Sequence, residues 1–205
     1  MRVGVIGAGD MGRAMARRAA VAGAVVLLAD RRIGRARTVA REAAAGTPGL
    51  VVACTAHVSF QPDLVILAAP RDESAQALRT RAGTLAGKVL VEVTAPHERT
   101  AGRRMRDLVD IAPEARWVRA CPAGDAESIY RGELDQQPVD VFVASDDETA
   151  KVLMVELVNR AKLRALDAGG LDRARLLDEM ARLGREISHQ LAAPEGWGLK
   201  FLPSW

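Results

Sequence analysis

Short unbroken runs of apolar residues alternate along the chain with longer stretches of mixed polarity. An unbroken run is typical of a strand that is buried on both faces of a sheet. The longer stretches place apolar residues three and four positions apart, as Met11, Ala14 and Met15 do, which is typical of an amphipathic helix. Strands that alternate with helices predict a parallel sheet covered by helices on both faces.

The predicted strands cover residues 3–6, 25–29, 50–54, 64–69, 88–93, 117–121, 139–144 and 163–166, and the predicted helices cover residues 10–22, 33–45, 72–85, 99–109, 146–162 and 172–191. We expect residues 1–145 to form a doubly wound α/β domain and residues 146–205 to form a small C-terminal α/β extension packed on it. No linker rich in proline, glycine or serine separates the two parts, so one continuous domain is the alternative.

The turn between the first predicted strand and the first helix follows the pattern G-x-G-x-x-G. It contains Gly7, Gly9, Asp10, Met11 and Gly12. In this position the pattern is typical of a dinucleotide-binding (Rossmann) fold. Gly7 permits the tight turn, Gly9 lets the backbone approach a pyrophosphate, and Gly12 lets the helix pack on the strand. The helix N-terminus then offers N–H groups to the pyrophosphate. A glycine-rich turn without a ligand is the alternative.

The end of the second predicted strand carries two conflicting signals about the cofactor. Asp30 lies about 20 residues after the glycine loop, where an acidic residue bonds the adenosine ribose and favours NAD. Arg31, Arg32 and Arg35 follow it, and arginines at this place suit the 2′-phosphate of NADP. A salt bridge to a neighbouring arginine would cancel the repulsion by Asp30. We therefore expect NADP(H) to be preferred, by a margin that Asp30 makes narrower, with NAD as the alternative.

Several further segments resemble one known family. They are residues 63–70 (DLVILAAP), 87–96 (GKVLVEVTAP), 145–151 (SDDETAK), 166–178 (LDAGGLDRARLLD) and 199–202 (LKFL). With the glycine loop, these motifs resemble the NADP-dependent reductases of coenzyme F420, and the resemblance covers nearly the whole chain. It implies direct hydride transfer between NADP(H) and the deazaflavin coenzyme F420, in which the protein stacks the two rings.

The resemblance also implies positions for the two coenzymes. Residues at the carboxyl ends of two predicted strands would border the nicotinamide and its ribose: Ala69, Pro70, Arg71, Thr94, Ala95 and Pro96. Residues at the end of the strand 117–121 would border the deazaflavin: Arg119, Ala120, Cys121, Pro122 and Ala123. An anionic tail of the deazaflavin coenzyme would suit Arg99, Arg103 and Arg106, which share one helix face, although a solvated face is the alternative.

Direct hydride transfer needs no protein acid, and the sequence contains no evident catalytic triad, metal site or carboxylate pair. Reduction of a small carbonyl or imine is an alternative function, and it would require a proton donor. His97 and Cys121 are the candidates for that role. The alternatives are that His97 is a solvent-facing loop residue and that Cys121 is a small buried residue of the core. A non-catalytic dinucleotide-binding module is the third hypothesis.

Composition excludes several other classes of protein. Lys+Arg 29 against Asp+Glu 26 gives a net charge of +3 over 205 residues, which is too weak for a nucleic-acid binder that neutralises many phosphates. Two cysteines exclude a disulfide framework and a four-cysteine zinc site. No apolar run approaches the roughly 20 residues of a membrane span. We expect a cytoplasmic homodimer without metal that binds small redox coenzymes and neither nucleic acid nor membrane.

The last nine residues contain Trp197, Phe201 and Trp205, so this tail is too apolar to remain in solvent. It must dock on its own domain, over the second ligand pocket, or on a partner subunit.

Overall fold

The computed structural model describes residues 1–94, 104–192 and 196–202. Its strands are β1 (Arg2–Ile6), β2 (Val25–Ala29), β3 (Leu50–Cys54), β4 (Leu64–Leu67), β5 (Val89–Glu92), β6 (Arg116–Pro122), β7 (Glu133–Leu134), β8 (Gln137–Pro138), β9 (Asp140–Ala144) and β10 (Arg164–Gly169). Its helices are α1 (Asp10–Val21), α2 (Ile33–Ala44), α3 (Ala56–Ser59), α4 (Arg71–Arg79), α5 (Met105–Val109), α6 (Ala126–Arg131), α7 (Glu148–Arg160) and α8 (Ala174–Gln190). Short 3₁₀ turns cover Ala82–Thr84 and Leu171–Arg173.

Eight strands form one sheet in the order β10-β9-β6-β5-β4-β1-β2-β3. The sheet reverses its order of winding beside β1, so the predicted doubly wound α/β fold is confirmed. One neighbouring pair differs from the parallel expectation, because β6 and β9 are antiparallel. The hairpin β7–β8 between them turns at Asp135 and Gln136, which both have positive φ, and the chain therefore returns in the opposite direction.

The inner apolar strands are buried on both faces, as their pattern predicts, whereas the edge strand β3 leaves Leu50 and Val52 exposed. In β4, Leu64 and Ile66 belong to the core on one side of the sheet, and Val65 and Leu67 belong to the core on the other side. A third, smaller apolar cluster lies beneath α8, where Leu177 packs with residues of β6 and β9. No helix in the described part of the chain is both long enough and apolar enough to cross a membrane.

The helices differ from their predicted bounds mainly at their ends. The predicted helix 72–85 is divided into α4 and the turn Ala82–Thr84, and the predicted helix 172–191 begins with the turn Leu171–Arg173. Of the predicted helix 99–109, α5 is the part that lies among the described residues. The short helices α3 and α6 were not predicted. Each has fewer than two full turns, so hydrophobic periodicity gives little signal.

Candidate functional site

The three glycines of the loop are required for different reasons. Gly7 has φ +102°, and a Cβ on it would lie 2.8 Å from the backbone nitrogen of Ala69. A Cβ on Gly12 would collide with the carbonyl oxygen of Gly7. A Cβ on Gly9 would meet nothing closer than Nη2 of Arg35 at 3.8 Å, so packing does not require glycine there. The open space beside Gly9 fits a ligand that approaches the backbone.

The helix that follows the loop begins without a side-chain cap. Gly9 is the N-cap of α1 and has no side chain that could accept from the first N–H groups. Asp10 is exposed and Met11 is half-buried at the first turn. This arrangement leaves the partial positive charge of the helix N-terminus for an anion.

Asp30 lies beside the loop and is bonded to the backbone. Its Oδ2 accepts from the N–H of Ala8 at 2.9 Å, and its Oδ1 accepts from the N–H of Arg32 at 2.9 Å. Burial alone would raise the pKa of this carboxyl, but these hydrogen bonds and the charges of Arg35 and Arg32 hold the pKa below its usual value. The expected salt bridge to an adjacent arginine is therefore replaced by backbone hydrogen bonds, and Arg31 pairs instead with Glu73 at 2.8 Å.

The loop and the arginines share one cleft. A cavity of about 590 Å³ is lined by Gly7, Gly9, Asp30, Arg31, Arg32, Arg35, Ala68, Ala69, Pro70 and Glu73. A cavity of about 330 Å³ adjoins it. Half of its lining residues are polar or charged, and the others, including Ile6, Ala29, Ala56 and Ala77, are apolar or glycine. The structure therefore brings the predicted loop, Asp30, the three arginines and the end of β4 to one place. Ala95 and Pro96 lie outside the described residues.

Three buried charged residues and one half-buried one form a second feature, which we call the ion-pair cluster: Arg71 at the start of α4, Glu92 at the end of β5, Arg119 in β6 and the half-buried Asp178 in α8. Arg71 Nη2 lies 3.0 Å from Glu92 Oε2 and 2.8 Å from Asp178 Oδ1. Arg119 Nε lies 3.3 Å from Glu92 Oε2, and its Nη2 lies 3.1 Å from Asp178 Oδ1. The side chains of Arg119 and Glu92 are 0% and 1% exposed. Two positive and two negative charges thus neutralise one another, three of them buried and that of Asp178 partly exposed.

The two arginines of the cluster were expected to border the coenzymes, and both guanidinium groups face these carboxylates instead. Glu92 and Asp178 were missed by the sequence analysis. A usable signal existed for Glu92, because it stands between Val91 and Val93 in an apolar strand, and a buried carboxylate requires a partner. Asp178 lies in an amphipathic helix, where an acidic residue carries no such signal.

Glu92 also holds Thr94, the one member of the predicted Thr-Ala-Pro loop that the structure describes. Glu92 Oε1 accepts from the backbone N–H of Thr94 at 2.9 Å and from its hydroxyl. Burial alone would raise the pKa of Glu92, but the charges of Arg119 and Arg71, with hydrogen bonds from Arg71 and Thr94, keep the pKa below its usual value. Glu92 is therefore an anion that fixes the position of Thr94.

The predicted deazaflavin-bordering segment of β6 is buried. Ala120, Cys121, Pro122 and Ala123 all lie beneath neighbouring elements. Cys121 Sγ donates to the carbonyl oxygen of Leu177 at 3.4 Å, and burial raises the pKa of this thiol. Cys121 is thus a neutral thiol without contact to solvent. His97, the other candidate proton donor, lies outside the described residues.

Away from the dinucleotide cleft and the cavity that adjoins it, another cavity of about 600 Å³, which we call the second cavity, lies between α5 and α8. Its lining combines three cations with three acidic and four apolar residues: Arg104, Arg106, Arg175, Asp146, Asp172, Asp178, Met105, Val109, Leu171 and Ala174. Arg106 is the member of the predicted arginine face that the structure describes. Asp178 belongs both to this cavity and to the ion-pair cluster, so the two features are contiguous.

The described part of the C-terminal tail docks on its own chain. Trp197 packs its ring against Gly184 of α8, where a Cβ would collide with it, and Leu199 donates its N–H to Ala123 at 2.8 Å. The carboxylate of Asp140 is fully buried and accepts from Lys200 Nζ at 2.7 Å and from the N–H of Phe201 at 3.0 Å. Trp205 lies outside the described residues.

Comparisons with known proteins agree with the resemblance found in the sequence. Residues 2–96 match the family described as NADP oxidoreductase, coenzyme F420-dependent. The F420-dependent NADP reductase of Methanothermobacter thermautotrophicus is 29% identical over 202 residues, which cover 89% of this chain and 87% of that protein. The protein of the same name from Methanothermobacter marburgensis is 27% identical over 205 residues, with 89% and 90% covered.

Solved structures support the same fold. A crystal structure from Arthrobacter sp. FB24 has a TM-score of 0.78 and 22% identity to this chain, and the match covers 99% of this chain and 100% of that one. At this level of identity the likeness concerns the fold. The family match over residues 2–96 and the two curated relatives support the resemblance and indicate an NADP-dependent oxidoreductase similar to the coenzyme F420-dependent family.

Proposed function

We propose that the protein transfers a hydride between NADP(H) and the deazaflavin coenzyme F420. The observation that carries this proposal is the pair of cavities near the ion-pair cluster: one contains the glycine loop, and the other, which shares Asp178 with the cluster, is lined by three arginines and three aspartates. The curated relatives bear the name F420-dependent NADP reductase, which supports the choice of the second coenzyme.

NADP(H) would bind in the cleft at the glycine loop. Gly9 and the uncapped N-terminus of α1 suit the pyrophosphate. Arg31, Arg32 and Arg35 are exposed on the cleft wall and suit the 2′-phosphate, because guanidinium groups form charge-assisted hydrogen bonds with phosphate. The adjoining cavity combines alanines and Ile6 with polar side chains, which suits the flat adenine ring.

Coenzyme F420 would bind in the second cavity. Arg104, Arg106 and Arg175 suit its phosphate and glutamate groups. Met105 and Val109 give the same cavity an apolar surface that suits an aromatic ring.

The reacting rings supply the chemistry, since a reduced nicotinamide donates a hydride and an oxidised deazaflavin accepts one. The protein binds the two coenzymes and fixes their relative position. The ion-pair cluster holds the end of β5, the start of α4 and helix α8 together at the junction of the two cavities. Cys121 has no part in proton transfer under this proposal, because its thiol is buried and bonded to a carbonyl group.

We also propose that the protein acts as a homodimer. Helix α8 and its C-cap residue expose a stripe of large apolar residues beside the buried face of the helix: Leu176, Leu183, Ile187 and Leu191. Residues at this spacing share one side of the helix, and a contiguous exposed apolar stripe favours contact with another surface.

The proposed reaction can be tested by mixing the protein with NADPH and oxidised F420 and following the absorbance of the deazaflavin. We expect the absorbance to fall in the presence of the protein, and to stay constant with the Gly9→Val variant, whose side chain would occupy the place of the pyrophosphate. Constant absorbance with a folded protein that binds NADPH would contradict the proposal.

A further inference from the structure

The ion-pair cluster lines the second cavity and adjoins the dinucleotide cleft without lining it. At one end, Arg71 directly follows Pro70, which lines the dinucleotide cleft. At the other end, Asp178 lines the second cavity. Glu92 and Arg119 complete the connection. Each of the four residues comes from a different helix or strand, so the cluster ties four elements to a single geometry.

The contacts within the cluster are shared, which makes the positions of its members interdependent. Asp178 Oδ1 lies within ion-pair distance of both Arg71 Nη2 and Arg119 Nη2. Glu92 Oε2 lies within ion-pair distance of both arginines as well. The other oxygen of Glu92 holds the N–H and hydroxyl of Thr94. A change at Asp178 therefore reaches Thr94 through two buried side chains.

Stability alone is a poor explanation for such a cluster. The desolvation of four charges opposes folding, and well-packed apolar residues commonly stabilise a core as well as a buried ion pair does. The charged residues do supply fixed directions, because each guanidinium group and each carboxylate has defined hydrogen-bond geometry. This property suits a group that must hold another residue in place.

We propose that Glu92 and Asp178 are positioning residues that fix Thr94 at the nicotinamide end of the dinucleotide cleft. The inference rests on the proposed function, because it takes the carboxyl ends of β4 and β5 as the nicotinamide end. Glu92 pairs with Leu67 in the sheet, so Thr94 follows β5 beside residues 68–70, which line the cleft. Glu92 bonds Thr94 directly. Asp178 acts through Arg71 and Arg119, which orient Glu92.

The test compares two ligands by calorimetric titration. NADPH contains the nicotinamide, whereas adenosine 2′,5′-bisphosphate contains only the adenosine end and does not reach Thr94. We expect Asp178→Asn to weaken NADPH binding about fivefold, the equivalent of about one hydrogen bond, and to leave the binding of adenosine 2′,5′-bisphosphate unchanged. Glu186→Gln is the matched control. It removes a carboxylate charge from an exposed pair on the same helix, and both affinities should stay unchanged.

A second variant keeps the test decisive if Asp178→Asn fails to fold. Thr94→Val replaces the hydroxyl group that donates a hydrogen bond to Glu92 with a methyl group, and it leaves all four charges of the cluster in place. This variant should also weaken the binding of NADPH and leave the binding of adenosine 2′,5′-bisphosphate unchanged. Equal weakening of both ligands, or unchanged NADPH binding in folded Thr94→Val, would overturn the positioning role while leaving the proposed function standing. An unmodified protein that binds neither ligand would overturn both.

Discussion

The backbone N–H of Ala8, in the glycine loop, donates a hydrogen bond to Oδ2 of Asp30 at the end of β2, at 2.9 Å. Since Oδ1 of the same carboxylate accepts from the N–H of Arg32, Asp30 fixes both the loop and the start of the arginine segment. Its negative charge opposes a 2′-phosphate, yet its position is set by the backbone. The same residue therefore has a structural role and an influence on cofactor choice.

Replacing Asp30 with asparagine should separate these two roles. Asp30→Asn removes the repulsion, so the ratio of NADP(H) to NAD(H) affinity should rise. One backbone N–H loses its acceptor, which should lower the free energy of unfolding by about 1 kcal/mol. Titration with both cofactors and a chemical denaturation curve measure the two effects. A fall in the affinity ratio would mean that Asp30 does not oppose the 2′-phosphate.

Arg31 should contribute to NADP(H) selectivity. Its side chain is 77% exposed and pairs with Glu73 on the cleft wall, and a surface pair of this kind is easily given up for a phosphate. Arg31→Ala should weaken the binding of NADP(H) about tenfold and leave the binding of NAD(H) nearly unchanged. Arg37→Ala, an exposed change on α2 that is not among the residues lining the cleft, is the control. Tighter binding of NAD(H) than of NADP(H) by the unmodified protein would contradict the predicted preference.

The loop glycines should respond differently to substitution. Gly9→Val should abolish dinucleotide binding while the melting temperature stays close to that of the unmodified protein, because Gly9 has negative φ and open space beside it. Gly12→Ala should lower the melting temperature strongly, since its Cβ would collide with Gly7. Differential scanning calorimetry and titration with NADPH measure both effects. Normal NADPH binding by folded Gly9→Val would remove this loop from the site.

The buried carboxylates should make the protein sensitive to acid. The pKa of Asp140 lies below its usual value of 3.8. Burial raises this pKa, but hydrogen bonds from Arg164, Lys200 and the N–H of Phe201 lower it by more than burial raises it. A carboxyl whose pKa is lowered on folding stabilises the folded state above its unfolded pKa and loses that contribution as the pH falls through the folded value. Stability should therefore be constant near neutral pH and fall below about pH 4.

Asp140→Asn tests this account of acid sensitivity. It should lower the free energy of unfolding at pH 7 by about 3 kcal/mol, the lower end for a broken buried ion pair, because Arg164 and Lys200 retain some contact with water. The dependence of stability on pH below pH 4 should become shallower. Denaturation curves over a pH series give both values, and an unchanged pH dependence would show that Asp140 is not responsible.

The apolar stripe on α8 gives a test of the proposed homodimer. Leu183 is 54% exposed at its centre, so Leu183→Lys should convert a dimer into a monomer without a large change in the stability of the chain. Arg160→Ala, an exposed change on α7, is the control. Light scattering after size-exclusion chromatography measures the mass. A monomeric unmodified protein would contradict the homodimer.

Much of the fold follows from the sequence because the strands are unbroken apolar runs and the longer helices have clear periodicity. The reversal before β9 was missed, because Asp135 and Gln136 adopt positive φ without the glycine or asparagine that usually marks such a turn. In the site, the loop glycines and the arginines each form a short local motif directly after a strand, so both could be predicted. The pairing of Arg71 and Arg119 with Asp178 could not, since it depends on where α8 packs, and no local pattern carries that information.

The most direct test of the proposed hydride transfer uses NADPH deuterated at both C4 positions. A single turnover with oxidised F420 is stopped, and the deuterium content of the reduced deazaflavin is measured by mass spectrometry. Direct transfer between the rings predicts one deuterium per reduced deazaflavin. A reduced deazaflavin that carries only solvent hydrogen, or NADPH that stays unoxidised on a folded protein with both coenzymes bound, would contradict the account.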